Sequence, residues 1–161
     1  MFDLIGRYFW LAAVAVTLFN HYQGGRAHPP QPSDSSTPAE QQSLRHRVLA
    51  ASLAPWLVMG FGQVVGRVPS VFHYFRPKDG NPYVWAFYAT VFLISLVFAY
   101  WVYFQGGAKK AVEIRLMRVT GFRGTLEPTE SWVKMFAAVW PPFVVLWVWL
   151  ISRMNVPPPP G

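Results

Sequence analysis

The chain has 161 residues, 53% hydrophobic and only 13% charged, with a net charge of +7 and no cysteine. Soluble domains carry roughly 25% charged residues, so composition points to lipid rather than water as the main solvent. Lack of cysteine excludes disulfides, thiolate metal sites, iron–sulfur clusters and a cysteine nucleophile. The charges fall outside the apolar runs, so the basic balance reads as membrane topology and not as nucleic-acid binding.

Four spans are expected, at about 4–22, 47–66, 83–104 and 132–152. Each approaches the roughly 20 apolar residues that cross a bilayer core. The first is the weakest, with Asp3 and Arg7 at its start and an apolar part from Tyr8 to Phe19. A surface helix and a cleaved signal peptide compete with it. The signal reading fits poorly, because the apolar core ahead of Ala13-Val14-Ala15 is too short. A span with Arg7 snorkelling outward is preferred.

Loop one is low in complexity, and 26–37 is expected to be disordered. Thr37-Pro38-Ala39-Glu40 then reads as a capping box with proline at the first helical position. Helix two therefore starts near Pro38, about ten residues ahead of the bilayer by the rise of a helix, and ends with Gly66 as its C-cap. Loop two packs four aromatic residues between Pro69 and Pro77. It reads as a short interfacial piece closed by an Asp79-Gly80 turn. Trp85 and Trp101 mark the ends of span three, as Trp132 and Trp149 do for span four.

Past span three, Ala108, Ala111, Val112, Leu116 and Val119 form an amphipathic stripe that carries helix three outward. Lys109 and Glu113 are spaced as an i,i+4 pair, and Gly121 and Gly124 end the helix. Thr129 or Ser131 caps helix four, with Glu130 in its first turn. Residues 156–161 form a proline-rich tail.

Loops one and three hold nine Lys and Arg against five on the other side. The positive-inside rule puts both loops in the cytoplasm and both termini outside. The expected location is the inner membrane of a bacterium. Lys109, Lys110, Arg115, Arg118 and Arg123 form a basic cytoplasmic face that orients the chain and can attract anionic lipid.

Proline inside the spans is the most informative feature. Pro55 in helix two and Pro141-Pro142 in helix four free the carbonyls of Ala51, Ala137 and Ala138. Each kink falls about 10 Å into the membrane from the same side. With Ser52, Trp56 and Trp140 beside them, the kinks are candidates to line a cavity. The plainer reading is that the prolines shape packing. Gly62 and Gly66 have the small-xxx-small spacing of close helix packing, with Gln63 between them as interhelical glue or part of a solute path.

After Arg7 no Asp, Glu, Lys or Arg stands deep inside a span, since Arg47 and Lys134 fall at span edges and His21 near the end of the first, which counts against proton- or ion-coupled transport. His21 and His46 fall near the cytoplasmic interface on adjoining helices, His28 in loop one and His73 on the other face. Ordinary interfacial histidines are expected rather than haem or metal ligands. His73, Asp79, Glu113, Glu127 and Glu130 are too scattered for a catalytic group, and no hydrolase, zincin or P-loop motif appears.

The expected fold is an all-α integral membrane four-helix bundle of two transmembrane hairpins, with helices two and three extending into the cytoplasm. The expected function is non-catalytic: an accessory, assembly or regulatory subunit, without cofactor, metal or nucleic acid. It would bind a membrane protein partner or a second copy of itself. The alternative is an oligomeric channel or small-solute carrier with a cavity near the kinks of helices two and four.

Overall fold

A computed structural model describes residues 2–27, 36–114, 119–121, 124–126 and 128–154. The expected disorder in loop one, the proline-rich tail, Glu127 and the basic residues Arg115, Arg118 and Arg123 lie wholly or largely outside them.

The fold is all-α. It comprises α1 (Phe2–Ala27), α2 (Pro38–Val64), α3 (Pro82–Phe104), α4 (Gly107–Glu113) and α5 (Glu130–Arg153). Two 3-10 turns, Val71–Phe75 and Pro77–Asp79, join α2 to α3. A small antiparallel ribbon, β1 (Val119–Gly121) with β2 (Gly124–Leu126), joins α4 to α5. Three helices, α2, α3 and α5, are long and apolar enough to cross a membrane. The α1 helix is 26 residues long and carries Asp3 and Arg7 in its first two turns.

The long helices pack in chain order: α1 on α2, α2 on α3, and α3 on α5. Gln63 meets the start of α1 while His46 faces His21 near its end, so α1 lies antiparallel along α2. Tyr103 Oη donates to the Lys134 carbonyl at 2.9 Å, near one end of the α3–α5 pair. Val84 and Tyr88 cluster with Ile151 near the other.

The N-terminus of α2 forms where the local chemistry dictates. Thr37 N donates to Glu40 Oε2 at 2.8 Å, and Glu40 N donates to Thr37 Oγ1 at 3.3 Å. Each satisfies a donor that the first helical turn leaves orphaned. Thr37→Ala is expected to cost about 1 kcal/mol, read as a lower thermal midpoint in detergent with the same span contacts. At α5 the cap is Thr129, whose side chain accepts from Trp132 N.

Three local expectations differ from the structure. Helix three does not run on past its apolar run. It stops at Phe104, and Gly106, at φ 66°, turns the chain into the separate α4. A left-handed residue breaks a helix, and glycine adopts it without steric cost. Next, the amphipathic stripe ends at Glu113, and Val119 pairs with Leu126 in the ribbon. Finally, Gly66 is not the C-cap of α2. Val65 holds that place, and the left-handed residue is Arg67 at φ 52°. Gly66 is small for another reason, given below.

Two buried clusters sit at opposite ends. Met59, Val68, Val71, Tyr74, Val84, Tyr88 and Ile151 form the first, around the 3-10 turns. Val102, Ala108, Ala111, Val133 and Ala137 form the second, where α4 tucks against α5. Small residues on α4 let its backbone approach closely. Along the helices, hydroxyls bond to their own backbone: Thr17 to Ala13, Thr90 to Ala86, Ser95 to Phe92 and Ser152 to Val148. Such local bonds keep a polar side chain satisfied in a medium without water.

Candidate functional site

The glycines of α2 organise the end of the molecule that carries the 3-10 turns. A Cβ on Gly60 would sit 2.6 Å from the Trp10 ring of α1. A Cβ on Gly62 would overlap Tyr74 Oη and lie 3.0 Å from Tyr83 Cβ. On Gly66 it would overlap the Tyr83 ring itself. The three glycines therefore receive rings from α1, the 3-10 segment and α3.

Tyr74 is the hub of this end, with 1% of its surface exposed. Its hydroxyl donates to the Met59 carbonyl at 3.0 Å. Tyr88 Oη in turn donates to the Tyr74 carbonyl. Phe87 packs edge-on against both rings. Loop two is thus a plug whose Val68, Val71 and Tyr74 are buried among α2, α3 and α5, while Phe72 and Phe75 stay exposed. Gly80 closes it in a left-handed turn, and Arg76 pairs with Asp79 at 3.3 Å. Lys78 Nζ donates to the Met154 carbonyl at 3.2 Å, at the end of α5.

Gln63 is half-buried at the meeting of α1, α2 and this plug. With its amide oriented to satisfy both atoms, the nitrogen donates to the Arg7 carbonyl and the oxygen accepts from Val71 N at 3.1 Å. One side chain thus ties three segments. Gln63→Leu is expected to take from the Val71 N–H its side-chain acceptor, at about 1–3 kcal/mol. A lower denaturant midpoint, with helix content unchanged at the start, is the readout.

Pro55 and Trp56 are partly buried on α2, and Ser52 is exposed. On α5, Pro141 is buried while Trp140 and Pro142 are exposed. Trp56 meets Phe9 of α1 edge-on, with ring centroids 6.1 Å apart. Two shallow concavities mark the helix surfaces. One is lined by Ala39, Gln42, Ser43, His46, Arg47 and Ala50 of α2. The other is lined by Pro142, Val145, Leu146 and Trp149 of α5. Neither is lined by Pro55 or Pro141.

An aromatic ladder runs along α5. Trp132, Phe136, Trp140, Phe143 and Trp147 stack in succession, with centroids 5.7, 5.1, 5.8 and 6.5 Å apart. All but Phe136, which is half-buried, are exposed. Fifteen residues of helix rise about 22 Å, so the ladder covers most of a bilayer core. The 4-4-3-4 spacing keeps the rings on one face of a straight helix. Sequence reasoning read these tryptophans singly. The spacing was the signal that links them.

At the opposite end from the plug, Lys109 is exposed and lies 4.0 Å from Glu113. Lys110 faces Glu40 electrostatically, so loops one and three share an end of the molecule. His21 and His46 face one another there, with centroids 6.2 Å apart. His73 instead shares a hydrogen bond with Ser70 Oγ at 3.1 Å. The acid–base candidates divide between the ends: His73 and Asp79 by the plug, Glu113 and Glu130 at the other. Among the described residues no three His, Asp or Glu side chains gather as a metal site.

No protein-family model, curated protein or solved structure matches the chain.

Proposed function

We propose that the chain is a non-catalytic, multi-pass membrane subunit of accessory, assembly or regulatory role, which binds a membrane partner through the ladder face of α5. The ladder is the observation that carries this reading. Tryptophan favours the membrane–water interface, yet Trp140 stands eight residues, about 12 Å of helix, from Trp132. Rings displayed at that depth, already stacked into a stiff wall, offer large contact area at little entropic cost. The partner is another membrane protein or a second copy of this chain.

The four-span arrangement belongs to the same proposal. From Arg7 to His21, α1 follows α2 antiparallel, and α2 is itself a candidate span. Ile5, Tyr8, Phe9, Leu11, Val16, Leu18 and Phe19 of α1 are all exposed, a surface suited to lipid. Loops one and three then face the cytoplasm of a bacterial inner membrane, and the exposed basic residues set that orientation.

A photo-crosslinker placed at Trp140 or Phe143 in native membranes tests the reading. One adduct of defined mass is expected from both positions, and none from exposed Leu57 on α2. Trp140→Ala with Phe143→Ala should abolish co-extraction of that partner in mild detergent. Absence of any adduct along the ladder would leave the face to lipid and remove the proposal.

A further inference from the structure

We propose that His21 and His46 form a two-histidine site for a divalent transition metal, which clamps the C-terminal end of α1 to α2. The inference is independent of the ladder and of its partner.

The two imidazoles come from different helices and meet with centroids 6.2 Å apart and planes inclined by 41°. Metal–nitrogen bonds are about 2.0–2.1 Å, which brings two imidazoles on one ion to centroid separations of about 5–6 Å. The observed separation lies just beyond that range. His46 is exposed and His21 partly so. A concavity lined by Gln42, Ser43 and His46, though not by His21, lies on α2 beside the pair. Water would supply the coordination positions that two imidazoles leave open.

Imidazole nitrogen suits zinc, copper and nickel, and disfavours magnesium and calcium. Arg26, Arg45 and Arg47 lie on the same two helices and oppose a cation. Arg26 is drawn over the Tyr22 ring at 4.6 Å. Arg47 is exposed and Arg45 half-buried, both beside His46 in sequence, and two direct bonds to the ion must outweigh their repulsion. The physical gain is at α1. Near Arg7 the helix is tied down by Gln63, and near Trp10 by Gly60. At its far end, beside the histidines, an ion would close the hairpin.

The test uses the full, tag-free chain in mild detergent, titrated calorimetrically with zinc chloride. One ion per chain is expected. His21→Ala and His46→Ala should each weaken binding at least tenfold, with little further loss in the double variant. His73→Ala should stay within twofold of the parent. Helix content and the metal-free thermal midpoint check that each variant is folded. Where one is not, copper(II) bound to the parent decides by electron paramagnetic resonance. Coupling to two imidazole nitrogens supports the site, and coupling to one or none overturns it. Non-saturating zinc uptake, or single variants that bind like the parent, also overturns it.

Discussion

Gly62→Ala is expected to destabilise the fold by about 2–3 kcal/mol, although alanine is the better helix former. Inside a helix, glycine to alanine ordinarily gains about 0.5–1 kcal/mol. At Gly62 the added methyl overlaps Tyr74 Oη and meets Tyr83 Cβ at 3.0 Å. Overpacking of this kind costs about 1–3 kcal/mol. Moving Tyr74 aside also breaks its hydrogen bond to Met59, at about 1 kcal/mol more. Steric and polar losses therefore exceed the propensity gain. Gly24 on α1 provides the opposite case, because a Cβ there meets nothing within 4 Å. Gly24→Ala is expected to stabilise by the ordinary increment. The two variants should move in opposite directions when unfolding in mixed micelles is followed by tryptophan fluorescence. A stabilised Gly62→Ala chain would mean that Tyr74 does not occupy this place.

Tyr74→Ala is expected to have the larger effect, about 3–5 kcal/mol, the usual cost of removing a buried aromatic ring. It empties the centre of the plug and withdraws packing from Met59, Val84 and Phe87. Tyr74→Phe keeps the ring and loses only the hydroxyl bond, about 1 kcal/mol. The difference between the two measures the ring. Alkali provides an independent check. Burial pushes the Tyr74 phenol up to about 12, from an ordinary value of 10.0. The neutral form is the one the fold favours. Its contribution is complete below pH 10 and is lost as pH rises from 10 through 12. The parent should therefore soften in that window, and Tyr74→Phe should soften less. Equal alkaline sensitivity in the two chains would place the loss on other groups.

These two residues show where sequence and structure part. Gly62 was legible as a small residue in a packing motif, because its spacing from Gly66 is visible in one dimension. Which ring fills the gap was not legible, since that depends on the face α2 turns to α3 and to the plug. Tyr74 drew no notice beyond its aromatic neighbours, because nothing local distinguishes a buried tyrosine from an interfacial one. Gly60 was missed as well, and its partner Trp10 lies fifty residues away on α1. Pro55 and Pro141 were legible as prolines interior to helices, but their surroundings were not. Each stands on a helix packed against α3.

The chain by itself determined the apolar runs, the basic ends and the cap at Thr37, and narrowed the α5 cap to Thr129 or Ser131. Each of these depends on residues within a turn or two, or on simple exclusion of charge from hydrocarbon. Tertiary structure alone decided the break at Gly106, the seating of the aromatic plug, the three-way bond of Gln63 and the meeting of His21 with His46. Those features require two distant segments to arrive at one place, and the free energy that brings them there is packing of rings into glycine-made gaps, which no local pattern encodes.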